Sequence, residues 1–454
     1  MAEPLLDRGY AGKLDAADSL AGYRERFLLT DPALIYLNGN SLGALPLATL
    51  RRMETMFREE WGTALARSWD HWVDLPARAG DLVGELAGAA PGQVIVTDNT
   101  TVNLYKLAAA ALDARPGRHV IITDDDNFPS DRYVMAGLAA QRGAELRLLA
   151  TDINQGVHPD LVRAAVNEDT ALVSLSHVAY RSGALADMAA ITAIAHQAGA
   201  LMLWDLCHSV GVVPVDLDGC DVDLAVGCTY KYLNAGPGAP AFAYVCARLR
   251  EVLRQPIWGW FSQRDQFDMG PSYDPAPGMA KFMTGTPSIP GVAAVEEGAR
   301  LLLEAGLEPM RAKSMRLTAY LIELAEAWLV PLGCTIATPR EAGRRGSHVS
   351  FCHPDAERIV ARLASGGIIT DYRTPDRFRF GLSPLTTRFT DVWDAADAAR
   401  ALIGGQVLAG ELADGAQHDR LRDRDHHLAG HRPGERLAAQ AHQPAERNQR
   451  RTRC

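Results

Sequence analysis

Two stretches of the 454-residue chain carry residue types that can do chemistry together: LMLWDLCHSVG at 201–211 and, some twenty residues on, DLAVGCTYKYLNAGPGAP at 223–240. In the first an apolar run ends in Asp205, with His208 three residues later. In the second an apolar run leads into Thr229, Tyr230 and Lys231 before a glycine-rich turn. A lysine amine can attack a carbonyl carbon and form an imine, and a carboxylate can keep a heteroaromatic ring nitrogen protonated. The same Asp–Lys pair would also serve as a structural ion pair at a sheet edge, so the pair alone leaves both readings open. Scarcity of lysine narrows the choice: Lys13, Lys106, Lys231, Lys281 and Lys313 are the only five in the chain. Lys106 falls inside a helical pattern, Lys13 and Lys313 in charged surroundings and Lys281 in a loop-like region. Lys231 is the candidate.

Other residues add to that pair. In DNTTVNLYKL, Thr100 and Thr101 open a helix-patterned segment, where free backbone N–H groups and two hydroxyls make a seat for a phosphate. Ordinary N-capping would use the same residues. DDDNFPSDRY offers Phe128 as an aromatic plate for a ring and Asp131 as a polar contact, with Pro129 and Ser130 opening the next helix; a capped turn is the plainer reading. Together with Asp205 and Lys231 these residues match the needs of pyridoxal phosphate. His208, within one turn of Asp205, is read as a cofactor contact rather than a proton-transfer group.

These positions need a scaffold. From about 93 to 246 short apolar runs alternate with helical patterns, which predicts an α/β fold with a mostly parallel, seven-stranded sheet covered on both faces. The predicted strands are Val94–Thr97, His119–Thr123, Leu146–Ala150, Ala171–Ser176, Leu201–Trp204, Asp223–Gly227 and Ala241–Cys246. Helices are predicted at Val102–Asp113, Ser130–Gln141, His158–Asn167 and Met188–Ala198. Ligands of such sheets lie beyond the carboxyl ends of the strands, where the candidate residues fall. After about 290 the pattern becomes that of a smaller α+β domain, with long helical stretches at Gly291–Glu304 and Pro309–Leu332, then His348–Phe351, a helix near Ala356–Ala364, and Arg377–Gly381. The division predicted is an N-terminal segment 1–45 packing on the small domain, a large cofactor-binding domain 46–290, a small domain 291–410 and a disordered tail 411–454. The tail has no aromatic residue and is dense in Arg, His, Asp and Gln. A solvated tail is preferred to a basic interaction arm.

Composition excludes several classes. A formal charge of −9 argues against a nucleic-acid footprint, and no apolar run approaches the roughly 20 residues of a membrane helix. The first 20 residues do not read as a signal peptide, so a cytoplasmic location is the default. Seven scattered cysteines without paired metal spacing suggest reduced thiols and no bound metal.

The stretches YRERFLL, YLNGNSLG, DNTTVNLYKL, NFPSDRY, YRSG, WDLCHSVGVVPVDLDGCDVDLAVGCTYKYLNAGPGAPAF, GWF and RFRFGLSPL carry a resemblance. From about Leu20 to Ile403 the chain resembles the kynureninases, members of the class V group of fold-type I, aspartate-aminotransferase-fold pyridoxal phosphate enzymes. The resemblance implies that Lys231 carries the cofactor, Asp205 pairs with its ring nitrogen and Phe128 stacks on the ring. It also implies a phosphate seat of Thr100, Thr101 and Tyr230, with Asp131, Ser176 and His208 as further contacts. Trp260 and Thr286 match positions contributed to a neighbouring subunit, so a homodimer with shared sites is implied. Arg379 matches an arginine that holds the substrate's α-carboxylate, and Tyr230 an acid of the later steps. The implied reaction is hydrolysis of L-kynurenine, or its 3-hydroxy derivative, to the anthranilate and L-alanine. Ala235, Cys207 and Ala179 depart from the pattern without removing a catalytic group. The alternative class V activity, cysteine desulfurase or selenocysteine lyase, would need Cys334 or Cys352 as nucleophile on a mobile loop, and Cys352 lies in an apolar run. A catalytically silent pyridoxal-binding protein would lack the lysine, acid or arginine, all of which are present. YLNGNSLG itself reads as a tight turn of positive-φ residues, or as a turn bringing Asn40 or Ser41 to the carboxylate beside Arg379.

Overall fold

A computed structural model describes residues 5–405, all within one compact unit spanning 1–406. The tail 411–454 lies outside the described residues. Strand β1 (Ile35–Tyr36) precedes a seven-stranded sheet made of β2 (Val94–Val96), β3 (Val120–Asp124), β4 (Glu145–Leu149), β5 (Thr170–Ser176), β6 (Leu201–Asp205), β7 (Leu224–Gly227) and β8 (Phe242–Val245). Their order is β2-β8-β7-β6-β5-β3-β4. The pairs among β4, β3, β5, β6 and β7 are parallel, whereas β8 runs antiparallel to both β7 and β2. Helices Thr100–Asp113, Pro129–Arg142, Pro159–Ala165 and Met188–Gln197 connect the parallel strands. Because the central strands are buried on both faces, they read as unbroken apolar runs; β6 and β8 are buried at every residue.

Register decides where the chemistry collects. Ser176, the last residue of β5, pairs with Asp205, the last of β6, and Asp205 in turn pairs with Val226 of β7. The carboxyl ends of three neighbouring strands thus deliver Ser176, Asp205 and the turn holding Lys231 to one edge.

A second sheet follows, of β9 (Thr335–Ile336), β10 (His348–Cys352), β12 (Asp371–Arg373) and β13 (Arg377–Gly381), antiparallel in the order β12-β13-β10-β9. Along β13 the two-residue alternation puts Phe378 and Phe380 on one face, where their rings lie 5.3 and 5.7 Å from that of Phe351. Arg379 therefore points the other way, and it is 1% exposed. A strand-edge surface arginine is ruled out.

The N-terminal segment is stitched to this half of the chain. β1 pairs in parallel with β11 (Ile368–Ile369). Asp15 accepts from the N–H groups of Phe389 (2.6 Å) and Thr390 (3.1 Å), and Lys313 meets Asp18 at 2.6 Å. Between 46 and 93, outside the predicted elements, the chain forms helices Leu47–Thr55 and Leu75–Leu86 with a π-helical stretch Met56–Ala64 between them.

Candidate active site

A cavity of about 230 Å³ opens at the strand ends, and Thr100, Thr101, Phe128, Ser130, Asp131, Ser176, Asp205, His208, Tyr230 and Lys231 all line it. The four buried lysines differ in their partners. Lys106 is paired with Asp98 at 2.6 Å, Lys281 with Glu251 at 3.3 Å and Lys313 with Asp18 at 2.6 Å. Lys231, 8% exposed, instead places Nζ 3.2 Å from His208 Nε2 and 5.9 Å from the ring centres of Phe128 and Tyr230. Burial, then the Lys231 charge, holds the His208 imidazole well below its usual pKa, so it faces the amine as a neutral ring.

The acids are set by the strand ends. Asp205 Oδ1 accepts from the Cys207 N–H at 2.7 Å and Oδ2 from the Ser176 hydroxyl at 3.4 Å. Ser176 also donates to Asn127 Oδ1 at 2.8 Å. Asp131, in the first turn of helix Pro129–Arg142, is 2% exposed and its Oδ2 has no hydrogen-bond partner. Burial and the neighbouring Asp205 push its carboxyl well above the usual carboxylate range. Two adjacent buried acids, one with an orphaned oxygen, call for a cationic or donating group in the cavity.

Helix Thr100–Asp113 brings its start to the cavity. The Asn99 side chain takes the Val102 N–H at 3.0 Å and the Asn99 carbonyl takes that of Asn103, leaving the Thr100 and Thr101 end to meet an anion. Phe128 forms one wall and meets Tyr180 edge-on at 5.2 Å. An anion seat, an aromatic wall, an amine and a pair of acids in one cavity fit the phosphate, ring, aldehyde and ring nitrogen of pyridoxal phosphate.

Pro129 opens its helix and is not among the residues lining the cavity. Trp260 and Thr286 are exposed and stand away from it; Trp260 lines a separate surface hollow with Trp258 and Tyr273. Asn40, Ser41 and Arg379 form an adjoining cluster. Arg379 gives Nε to Asp371 Oδ1 at 2.6 Å, Nη2 to Asp371 Oδ2 and Nη1 to the Tyr180 carbonyl. Ser41 donates to Asp371 Oδ2 at 2.6 Å. With its amide oxygen turned to the guanidinium, Asn40 accepts from Arg379 Nη2 at 3.1 Å and Nε at 3.3 Å. Burial pushes the Asp371 carboxyl up, but the Arg379 hydrogen bonds and the Arg379 and Arg373 charges outweigh it and hold its pKa below the usual value.

The YLNGNSLG turn corrects one expectation. Neither Gly39 nor Gly43 has positive φ. Their smallness is what counts: the Gly43 N–H donates to the Tyr230 carbonyl at 2.8 Å, and a Cβ there would run into the Lys231 carbonyl and stand 2.8 Å from Asn234 Cα. Asn40 likewise lies on Gly381, where a Cβ would strike its amide. The turn joins the Lys231 segment to the Arg379 strand.

Tyr180, Asn127, Asp371 and Arg373 adjoin the site and were missed by sequence reasoning, although Tyr180 lies within the YRSG stretch and Asn127 opens NFPSDRY. Cys334 is buried with its thiol pushed up to about 12 by burial, and Cys352 sits within paired strand β10 with its thiol also raised by burial. Neither is an activated nucleophile on a mobile loop. Among the described residues no helix is long and apolar enough to cross a membrane, and no group of His, Cys, Asp or Glu is arranged to hold a metal ion.

The fold and this lysine–acid site define a member of the class V aminotransferases, whose family model matches residues 35–370. Solved structures of similar fold include the cysteine desulfurase of Thermococcus onnurineus (TM-score 0.74, 19% identity, 85% of this chain and 98% of that one). A C-DES variant with glycine covalently linked to its pyridoxal phosphate cofactor is also similar (TM-score 0.74, 21% identity, 83% and 98%). At such identities the likeness establishes the fold alone. Sequence relatives are nearer: kynureninase of Pseudomonas fluorescens is 46% identical over 87% of this chain and 94% of its own length, and that of Burkholderia pseudomallei 45% identical over 86% and 94%. The chain belongs to the kynureninase family.

Proposed function

We propose that the protein is a pyridoxal phosphate-dependent hydrolase that cleaves L-kynurenine to anthranilate and L-alanine in tryptophan catabolism. One water is added across the Cβ–Cγ bond, its hydroxyl going to the carbonyl carbon and its hydrogen to Cβ. The observation that carries this reading is Lys231, the one lysine facing an imidazole and two acids in a cavity rather than an ion-pair partner. Kynureninases at 45–46% identity support the substrate.

Bound pyridoxal phosphate supplies an electron sink for the electrons left when the substrate's α proton departs. Lys231 would hold the cofactor through its amine and, with that amine free, would move the proton at the substrate's α carbon. Neutral His208 receives a hydrogen bond from that amine without competing for its proton. Asp205 holds the ring nitrogen protonated, and its own orientation is set by the Cys207 N–H and Ser176. Thr100, Thr101 and Tyr230 hold the phosphate. Burial, then Cys228, raises the Tyr230 phenol, so it stays protonated and can give a proton in the later steps. Arg379, with Asn40 and Ser41 beside it, fixes the α-carboxylate. The Gly285–Thr286 pair resembles that of bacterial kynureninases, which favours the unhydroxylated substrate.

Exposed Trp260 and Thr286 suit a homodimer in which each copy completes its neighbour's site. Six described cysteines, all unpaired, suit a reducing, cytoplasmic compartment. The test is Lys231→Ala: purified wild type carries the absorbance band of lysine-linked cofactor and the variant loses it. A normal band in the variant overturns the lysine assignment.

A further inference from the structure

Two guanidinium groups, not one, stand at the carboxylate seat. Arg379 is the buried member, 1% exposed, with Nε and Nη2 on Asp371 and Nη1 on the Tyr180 carbonyl. These contacts use three of its five N–H groups, so it keeps few donors for a ligand. Arg373 is the accessible member, its side chain 33% exposed. Its Nη2 lies 2.9 Å from Asp371 Oδ2 and 3.4 Å from Ser41 Oγ, while Arg379 Nη2 reaches the same Ser41 oxygen at 3.5 Å. Its Nη1 donates to the Tyr372 carbonyl at 2.8 Å.

Strand register explains the grouping. Asp371 on β12 pairs with Arg379 on β13, and Arg373 follows two residues on, on the same face as Asp371. Arg373 and Arg379 share the Ser41 hydroxyl oxygen, and the carbonyl that Arg379 holds belongs to Tyr180, which lines the cavity, so the pair stands beside it. The cluster holds two guanidinium charges against the single carboxylate of Asp371. One positive charge is left over, and a partly buried excess of that size suits one incoming anion.

We infer that Arg373 is a second substrate-binding residue that presents its guanidinium to the α-carboxylate, and that Asp371 is a positioning residue locking Arg379 behind it. This rests on the proposed cleavage of an α-amino acid. Arg373 adds its free donors beside those of Arg379, and Asp371 keeps the two like charges together. Ser41, hydrogen-bonded to Asp371, links the YLNGNSLG turn to the seat.

The test uses the cofactor-loaded enzyme and reads the cofactor's absorbance change as ligand is added. One ligand is L-alanine, which has the α-amino acid head; the other is isopropylamine, the same amine without the carboxylate. Loss of a hydrogen bond between charged groups predicts that Arg373→Ala weakens L-alanine about 10- to 100-fold and isopropylamine less than about threefold. Arg373→Lys should recover part of the loss, as a point charge without the fork. Asp371→Asn should also weaken L-alanine selectively, and should raise KM for kynurenine more than it lowers kcat. Arg373→Gln provides a variant of similar size and the same prediction should Arg373→Ala fold poorly. Unchanged L-alanine binding in the Arg373 variants overturns the inference, as does equal weakening of both ligands. Because L-alanine binding needs no aryl ketone, failure of wild type to release anthranilate would sink the proposed reaction while leaving this seat testable.

Discussion

Gly43→Ala tests whether the N-terminal turn positions Lys231. The added Cβ would meet Asn234 Cα at 2.8 Å, against the 3.4 Å of ordinary contact, and would overlap the Lys231 carbonyl more severely. Both are backbone groups, so the turn and the Lys231 segment must separate by at least about 0.6 Å, stretching the 2.8 Å hydrogen bond from the Gly43 N–H to the Tyr230 carbonyl. Overpacking of this kind costs about 1–3 kcal/mol, which for some 400 ordered residues lowers Tm by only about 1–4 °C. Function should suffer more, because misplacing a reacting group by about 1 Å can cost about 100-fold. Differential scanning fluorimetry and an anthranilate fluorescence assay give both quantities on one preparation. The expected result is a folded, cofactor-loaded variant with kcat/KM down roughly 10- to 100-fold. Gly12→Ala is the control: nothing lies within 4 Å of its Cβ position, and in a helix the change should be neutral or stabilising. If Gly43→Ala keeps kcat/KM within twofold of wild type, the turn does not position Lys231 and the reasoning fails.

Two further variants probe buried charge. Burial, then Asp126 and Asp125, raises the Asp124 carboxyl from 3.8 to about 7. The fold therefore binds this proton more tightly than the unfolded chain, so its stabilising contribution is complete below about pH 4 and lost as pH rises through about 7. Asp124→Asn should flatten that loss, gaining up to about 4 kcal/mol over wild type at pH 8 relative to pH 4, read from Tm across that range; parallel Tm–pH curves would contradict it. Lys106→Met strands Asp98, which keeps only the Thr284 hydroxyl at 2.7 Å as a strong partner, and should cost about 3 kcal/mol. Adding Asp98→Asn should return part of that loss in a double-mutant cycle, whereas simple additivity would mean the pair is not coupled.

The large sheet was legible because its central strands are buried, so apolar runs such as Leu201–Trp204 located Asp205 without any knowledge of tertiary contacts. Lys231 was legible because so few lysines compete with it. The helix Leu75–Leu86 was not: Gly80 and Gly84 weaken its helical signal, yet Gly80 packs where a Cβ would stand 2.8 Å from the Val94 carbonyl carbon. Asp371 and Arg373 were invisible for another reason. They sit on a three-residue strand with no apolar pattern, and their meaning comes from Ser41, 330 residues away, and from a partner strand. The glycines of YLNGNSLG looked like φ-permissive turn residues, when what they supply is room for two distant backbones to touch.

The central claim is the reaction, and the most direct measurement is product stoichiometry. Cofactor-loaded protein incubated with L-kynurenine should release anthranilate and L-alanine in a one-to-one ratio, with kcat/KM above that for 3-hydroxy-L-kynurenine. Release of L-alanine and sulfide from L-cysteine, with no anthranilate from kynurenine, would contradict the account.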